Sequence, residues 1–167
     1  ARKPFVLEEW QEHDIIRPLF GTVVWSPEWN CYARQYRIAW IELGRKNGKS
    51  ELDAGIVWYL LVADGEEAAE IYGGAKDTKQ AGKFAEVVER MRQLSPVLRE
   101  RCEYNKSRRR VYDEKTASYY EVITSDAVGE LGHNPHGVVI DEVLAQADGR
   151  FWAAMRTAMG ARVQPLM

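Results

Sequence analysis

Apolar and polar positions alternate with two different periods along the chain, and the changes of period predict the order of strands and helices. Residues 35–43 (QYRIAWIEL) are rich in β-forming side chains and predict a buried strand. From Lys49 to Val62 the apolar residues recur at helical spacing, and they do so again from about Thr78 to Leu94. Asp77 is placed to cap the second of these helices, and Pro96 marks the break after it.

The second half of the chain continues this alternation. AEIYGGA (69–75) and GVVID (137–141) predict short apolar strands, and FWAAMRTAMG (151–160) predicts a helix. Residues 108–112 and 118–123 flank the polar turn DEKTA and predict a β-hairpin. Strands that alternate with helices indicate an α/β fold, with a mostly parallel β-sheet flanked by helices on both faces in three α/β/α layers.

Composition restricts the class of protein further. The 167 residues suffice for one well-cored domain, and 46% hydrophobic with 29% charged content is typical of a soluble globular protein. The two cysteines do not suggest a disulfide framework. A net charge of −2 excludes a globally basic nucleic-acid coat but leaves a local basic patch open.

The stretch LGRKNGKS (43–50) lies between the first predicted strand and its helix. Gly48, Lys49 and Ser50 match the end of a phosphate-binding loop, G-x-x-x-x-G-K-[ST], whereas the leading position is Leu43. In such a loop the backbone N–H groups surround the phosphates, the lysine neutralises their charge, and the serine hydroxyl binds Mg²⁺. A solvated turn that caps the helix with Ser50 would look similar, so the loop by itself leaves two interpretations open.

A pair of acids supports the nucleotide interpretation. In the run GVVIDE (137–142), Asp141 and Glu142 lie at the carboxyl end of the predicted strand, at the sheet edge where α/β proteins bind ligands. Asp141 could hold Mg²⁺ through water, and Glu142 could polarise an attacking water. The alternative is a strand that runs into a solvated acidic turn. Together, the loop and the acidic pair predict a P-loop NTPase.

Several stretches, in order, resemble one protein family, the ATPase domain of the large terminase subunit of tailed bacteriophages. RKNGKS is a frequent variant of the phosphate loop in that family, so the missing first glycine is an expected departure. The other matching stretches are EWQEHDIIRPLFG (9–21), DAGIVWYLLVADGE (53–66), AKDTKQA (75–81), VVIDEVLAQ (138–146) and TAMGARVQPLM (157–167). The resemblance covers nearly the whole chain.

The resemblance implies roles for particular residues. Glu142 and Lys49 would be catalytic, and Ser50 and Asp141 would hold Mg²⁺, the aspartate through water. The arginine finger of the family has no counterpart at 130–133, which reads ELGH, and its candidates are Arg150 and Arg156. The nucleotide-binding residues would be Arg45, Lys46, Asn47, Gly48, Lys49, Ser50 and Gln11, with Gln11 reading the adenine edge beside Trp10.

The resemblance also implies a function. Residues 1–167 would be an N-terminal ATPase domain that ends before a coupling motif and a C-terminal nuclease domain. With Mg²⁺ as cofactor and ATP as substrate, it would power translocation of double-stranded DNA into a prohead in the host cytoplasm. The partners would be DNA, the portal protein, the small terminase subunit and further copies in a ring, with no membrane. The alternatives are another P-loop ATPase, such as a helicase-like motor, and a nucleotide-binding assembly module without turnover.

Other features have weaker interpretations. The basic run KSRRR (106–110) could contact DNA phosphate, although a solvent-exposed basic hairpin is the simpler interpretation. Most of the six tryptophans are expected in the core, and His133 and His136 lack a third ligand for a metal site. Asp53 lies one helical turn after Lys49 and could pair with it.

Overall fold

The fold was analysed in a computed structural model, which describes residues 5–44, 46–75, 78–124, 132–141 and 149–167. A π-helix, Gln11–Ile16, leads directly into the first α-helix. The helices are α1 (Arg17–Gly21), α2 (Lys49–Val62), α3 (Thr78–Leu94), α4 (Pro96–Arg101) and α5 (Arg150–Ala158), followed by a 3₁₀ turn, Met159–Ala161. The strands are β1 (Val23–Ser26), β2 (Cys31–Arg34), β3 (Glu70–Ala75), β4 (Cys102–Asn105), β5 (Arg110–Asp113), β6 (Ser118–Thr124) and β7 (Pro135–Ile140).

The central sheet has five strands in the order β4-β5-β6-β3-β7. Strand β3 pairs in parallel with both neighbours, so that Ile71 lies opposite Tyr120 on one side and Gly137 on the other. Strands β4 and β5 add antiparallel pairs at one edge, while β1 and β2 form a separate two-stranded ribbon. The carboxyl ends of β3, β6 and β7 therefore meet at one edge of the sheet.

Helices cover both faces of the sheet, which confirms the predicted three-layer α/β/α architecture. Successive residues of a strand point to opposite faces, so Ile71 joins the core under α2 and α3, whereas Tyr72 joins the core under α5. Leu52, Val57, Leu60 and Leu61 of α2 are fully buried in the first core. Phe151, Met155 and Met159, which follow one another at helical spacing, form the second core with Val138 and Ile123. No helix in the described part of the chain is long and apolar enough to cross a membrane.

The helical predictions for 49–62 and 78–94 are confirmed at both ends. The predicted cap Asp77 lies outside the described residues. Pro96 does not simply end a helix but occupies the first turn of α4, which Ser95 caps by accepting a hydrogen bond from the Leu98 N–H at 3.4 Å. The predicted hairpin is confirmed as β5 and β6, and it is joined by strand β4, which the sequence pattern did not indicate.

The prediction of a buried strand over 35–43 was wrong. Tyr36, Ile38 and Trp40 are exposed, and residues 35–43 carry no regular strand. Backbone hydrogen bonds join this segment to Met167, from the Ala39 N–H to the Met167 carbonyl (2.7 Å) and from the Met167 N–H to the Arg37 carbonyl (2.9 Å). The apolar composition of a segment shows that it can be buried, but burial itself depends on neighbours that pack against it.

The tryptophans also depart from expectation. Trp25, Trp29 and Trp40 are 40–61% exposed, whereas Trp58 is buried and donates from Nε1 to the Val88 carbonyl at 3.1 Å. Trp25 packs edge-on against Tyr32 within the β1–β2 ribbon, at a ring separation of 5.3 Å. The prediction that most tryptophans belong to the core was therefore wrong, because Trp25 and Trp29 lie on the ribbon and its turn, and Trp40 lies in the irregular segment 35–43.

A buried ionic cluster joins the C-terminal end of α2 to β2 and β7. Asp64 accepts hydrogen bonds from the Arg34 guanidinium (2.6 and 2.7 Å) and from His136 Nε2 (2.6 Å), and all three side chains are at most 4% exposed. Arg34 also donates to the Gln164 carbonyl at 2.8 Å. Burial would raise the pKa of Asp64, but the hydrogen bonds from His136 and Arg34 outweigh it, so the pKa is lowered.

We expect Arg34→Met to destabilise the fold by about 3–5 kcal/mol, because it leaves the Asp64 charge buried without its main partner. Urea denaturation at pH 7 measures the change.

Arg17→Met is the matched control, since the Arg17–Glu12 pair is solvent-exposed and its loss should have little effect. Because the pKa of Asp64 is lowered on folding, the cluster's contribution should decline as the pH falls through the acid range. Equal stability of the two variants would show that the cluster does not hold the fold together.

Candidate active site

The loop before α2 has the backbone shape of a tight polar turn. Lys46 and Gly48 have φ angles of 68° and 70°, a left-handed conformation that glycine adopts without strain. Asn47 donates from Nδ2 to the Gly44 carbonyl at 3.2 Å, and the Leu52 N–H donates to the Gly48 carbonyl at 2.9 Å to begin the helix. The loop therefore leads directly into the first turn of α2, which begins at Lys49.

The first turn of α2 is suited to bind an anion. Gly48 occupies the cap position and supplies no side-chain acceptor to the N–H groups of the first turn. Helix N-termini carry unpaired N–H groups and a partial positive charge, both of which favour phosphate. Lys49 and Ser50 lie in this turn, so their side chains project from adjacent positions beside these N–H groups.

Asp141 faces the N-terminal end of α2 from the end of β7, a strand at the edge of the sheet. Strand β7 ends at Ile140, and Asp141 lies in the turn that follows. One carboxylate oxygen lies 2.5 Å from Lys49 Nζ, and the other accepts a hydrogen bond from Ser50 Oγ at 3.3 Å. The structure therefore brings the predicted loop lysine, the loop serine and the first of the two acids into direct contact, although they are about ninety residues apart in sequence.

A cleft of about 210 Å³ opens beside this contact. It is bounded by the start of α2, the carboxyl ends of β3 and β7, and one face of α3, and its lining residues are Ser50, Gly74, Ala75, Gln80, Lys83, Phe84, Val87 and Asp141. Gln80 and Lys83 are residues that sequence reasoning assigned no role. Gln80 belongs to the stretch AKDTKQA (75–81), which was noted only as part of the resemblance, and Lys83 follows that stretch; their position on α3 gave no sign that they would face Ser50.

The donor set in the cleft fits Mg²⁺. A hydroxyl and a carboxylate are hard oxygen ligands, and Mg²⁺ is usually held by one or two protein groups together with water and substrate phosphates. Within the described ranges no three histidine, cysteine or acidic side chains cluster, so these side chains offer no metal site built from protein ligands alone. Ser50 and Asp141 are thus the residues that would hold the ion, with other ligands from water and phosphate.

Gln11 is buried against the loop. Its side chain is 2% exposed, accepts a hydrogen bond from the Glu8 N–H at 3.0 Å, and donates to the Asn47 carbonyl at 3.4 Å. Its amide nitrogen would lie 3.5 Å from a Cβ placed on Gly48. The contacts described here support the loop, and the predicted contact of Gln11 with adenine stays a prediction.

Asp53 contributes a second carboxylate beneath the site. Burial and the neighbouring charge of Asp141 raise its pKa from 3.8 to about 7, while Lys49 lowers it only in part. The predicted pairing of Asp53 with Lys49 must compete with the Lys49–Asp141 contact at 2.5 Å. The helical spacing of 49, 50 and 53 was the sequence signal for this cluster, but the burial of Asp53 was not visible from it.

The other predicted site residues either lie away from the contact of Lys49 and Ser50 with Asp141 or fall outside the residues that the structure describes. Arg45 and Glu142 lie outside the described residues. Arg150 begins α5 next to Phe151, which packs at Gly74 near the cleft, and the Arg156 guanidinium lies over the Trp152 ring at 4.9 Å. His136 is part of the buried cluster with Asp64 at the opposite end of β7.

Comparison with known proteins shows which family the chain belongs to. Residues 13–167 match the family model described as the terminase large subunit, ATPase domain. The chain belongs to this family. The terminase assignment therefore covers the loop, Asp141 and the C-terminal residues that contact β7. Among curated proteins, no sequence matches the chain.

Two solved structures extend the comparison. The large terminase of bacteriophage HK97 is 26% identical, with a TM-score of 0.81 over 99% of this chain and 33% of its own. The ATPase domain of a Thermus phage large terminase, crystallised as an arginine-to-alanine mutant, is 19% identical, with a TM-score of 0.54 over 80% of this chain and 57% of its own. The second likeness concerns the fold only. This terminase domain thus spans about a third of the HK97 large terminase.

The raised pKa of Asp53 predicts a pH-dependent stability. In the folded state Asp53 holds its proton up to about pH 7, whereas the unfolded chain releases it near 3.8, so stability should fall as the pH rises between these values. Asp53→Asn removes this loss and should stabilise the domain relative to the parent more at pH 8 than at pH 5. Urea denaturation at both pH values measures it. Glu51→Gln, at an exposed position on the same turn, is the control. An Asp53→Asn effect that is equal at both pH values would refute the assignment.

Proposed function

We propose that the domain hydrolyses ATP with Mg²⁺ and that hydrolysis powers translocation of double-stranded viral DNA into a prohead. The observation that carries the proposal is the contact of Lys49 and Ser50, at the start of α2, with Asp141, at the end of β7. A cation, a hydroxyl and a carboxylate that converge at a helix N-terminus are the groups that nucleoside triphosphate hydrolysis requires. The family membership supports the same conclusion.

Lys49 changes partner when nucleotide binds. Without nucleotide its ammonium neutralises Asp141, and both side chains are partly exposed, at 32% and 22%. Phosphate oxygens entering beside the first turn of α2 offer Lys49 a more highly charged partner. The exchange frees the Asp141 carboxylate, which would then be available to hold Mg²⁺ through water.

Ser50 and Asp141 hold the metal in this proposal, and Gly48, Asn47, Lys46 and Arg45 surround the phosphates. The Mg²⁺ ion, when bound, would neutralise charge on the phosphates and orient them. The Ser50 hydroxyl donates to Asp141 at 3.3 Å and can turn its oxygen lone pairs toward a cation. Gln11 supports the loop from behind through Asn47.

Glu142 is the proposed general base that orients the attacking water. It follows Asp141, which already lies beyond the end of β7. Adjacent side chains on a strand point to opposite faces, but this restriction ends with the strand. The proposal therefore places the carboxylates of Asp141 and Glu142 at the same site.

The wider function rests on the family. We propose that the domain is the N-terminal ATPase domain of a longer protein, that it acts in the host cytoplasm at the prohead, and that it works in a ring with the portal protein and the small terminase subunit. Arg150 and Arg156 are the candidates for the arginine finger of such a ring. The family membership, together with the likeness to the HK97 large terminase, of which this chain covers a third, supports the assignment to a large terminase subunit.

Lys49→Ala should abolish nucleotide binding and leave the fold intact, because Lys49 holds phosphate charge and is not part of the core. Calorimetric titration with a non-hydrolysable ATP analogue and Mg²⁺ measures the affinity, and thermal unfolding checks the fold. Lys115→Ala, at an exposed turn position, is the matched control. Unchanged affinity in Lys49→Ala would exclude the loop as the phosphate site.

Glu142→Gln separates hydrolysis from binding. The substitution keeps the size of the side chain and removes the charge that orients water, so turnover should fall by about 10²-fold or more while ATP affinity stays within a few-fold. Phosphate release with duplex DNA present is the measurement, and Glu114→Gln, an exposed acid, is the control. Turnover at the parental rate would assign the base to another residue. Nucleotide binding without phosphate release by the parent would favour an assembly module.

A further inference from the structure

The turn between β4 and β5 displays two basic side chains. Asn105 fixes its shape, because Asn105 Oδ1 accepts hydrogen bonds from the Ser107 hydroxyl (2.8 Å) and from the Arg108 N–H (3.0 Å). Lys106 and Arg108 are exposed at the tip. Among the described residues no carboxylate pairs with either side chain, in contrast to Arg110, which contacts Glu121 at 3.1 Å. The tip therefore carries two positive charges that the fold does not neutralise.

The turn rests on helix α3, which adds a further cation. The Arg109 guanidinium lies against Gly82, where a Cβ would be 3.4 Å from the nearer nitrogen. Lys79 precedes Gly82 by three residues, so it lies on the same stripe of α3 and is also exposed. The turn and the helix stripe on which it rests thus carry four basic residues, Lys79, Lys106, Arg108 and Arg109, which we call the hairpin surface.

The hairpin surface lies at the same edge of the sheet as the candidate active site. Strand β5 runs antiparallel to β6, with Arg110 opposite Glu121, so the turn before Arg110 projects toward the carboxyl end of β6. Strands β6, β3 and β7 are parallel, and β7 leads to Asp141 at that same end. Strand β5 lies three strand spacings, about 14 Å, from β7. A ligand on the hairpin surface is therefore close to the nucleotide but separate from it.

The chemistry of the hairpin surface fits the backbone of a nucleic-acid duplex. Duplex DNA presents one phosphate charge per about 1.7 Å of its axis, and side-chain ammonium and guanidinium groups bind these phosphates without reading sequence. The turn 106–109 contains no aromatic side chain on which an unpaired base could stack. A motor that moves along any sequence requires contacts of this kind.

We infer that the hairpin surface binds the phosphate backbone of double-stranded DNA, with Lys106 and Arg108 as its principal contacts. The inference rests on the proposed function for its choice of DNA as the partner. It assigns the basic run KSRRR to substrate binding rather than to a solvated turn. It also places the DNA contact at the sheet edge that bears the candidate active site.

The test combines two substitutions in this domain, Lys106→Ala and Arg108→Ala. Fluorescence anisotropy with a labelled 30-base-pair duplex, over a series of salt concentrations, measures affinity and its salt dependence. Loss of two phosphate contacts should reduce the slope of log K against log salt by about 1.8 and weaken binding at low salt by about tenfold. The matched control is Arg90→Ala with Arg99→Ala, which removes the same charge from exposed positions on the C-terminal half of α3 and on α4.

Several outcomes distinguish this inference from the proposed function. An unchanged slope in the turn variant, an equal change in the control variant, or tighter binding of single-stranded than of duplex DNA would each overturn the inference. Calorimetric titration with the ATP analogue should give the parental affinity in the turn variant, because neither residue lines the cleft. Failure of nucleotide binding in the parent would instead overturn the proposed function, and the salt slope would still report on the hairpin surface.

Discussion

Close approach of helices to the central strands is the constraint on which the candidate site depends. At Gly137 of β7 a Cβ would lie 2.7 Å from the Leu60 side chain of α2, and at Gly74 of β3 it would lie 2.6 Å from the Phe151 ring of α5. Real Cβ atoms do not approach other atoms so closely, so larger residues here would push both helices off the sheet. With α2 packed directly on β7, the first turn of the helix lies beside the residue that follows the strand. The contact between Lys49 and Asp141 is a consequence of this packing.

Helix α2 is joined to β7 by ionic contacts at both ends, and the two contacts have different physical characters. At the C-terminal end, Asp64 is buried with His136 and Arg34, and removing one partner would leave an uncompensated charge. At the N-terminal end, the Lys49–Asp141 contact is partly exposed, and in the proposed function Lys49 exchanges it for phosphate. A permanent attachment at one end thus allows an exchangeable one at the other.

Some elements of the fold were predictable from the sequence and others were not. The helix at 78–94 has a strong periodic pattern, whereas the helix at 49–62 is apolar on several sides and its periodicity is weak. The ends of both helices were nevertheless predicted correctly. Strand β4 was missed because CEYN is short and mostly polar, and it pairs only because β5 lies alongside it. Residues 35–43 were expected to form a buried strand, but Tyr36, Ile38 and Trp40 are exposed, and only alternate residues such as Ala39 and Leu43 pack partly against the core. Asp53 showed the same limit, since its raised pKa depends on burial and on Asp141, which is distant in sequence.

The sequence by itself determined the alternation of elements, the loop Gly48-Lys49-Ser50 at the start of a helix, and the acidic end of a strand, because each depends on residues within one turn or one strand. Only the tertiary structure decided that Asp141 lies within reach of both Lys49 and Ser50, and that the basic turn at 106–109 packs on α3 at the same sheet edge. These contacts join parts of the chain far apart in sequence. Their distances follow from strand order, register and the closeness of helix packing, and no local pattern encodes those quantities.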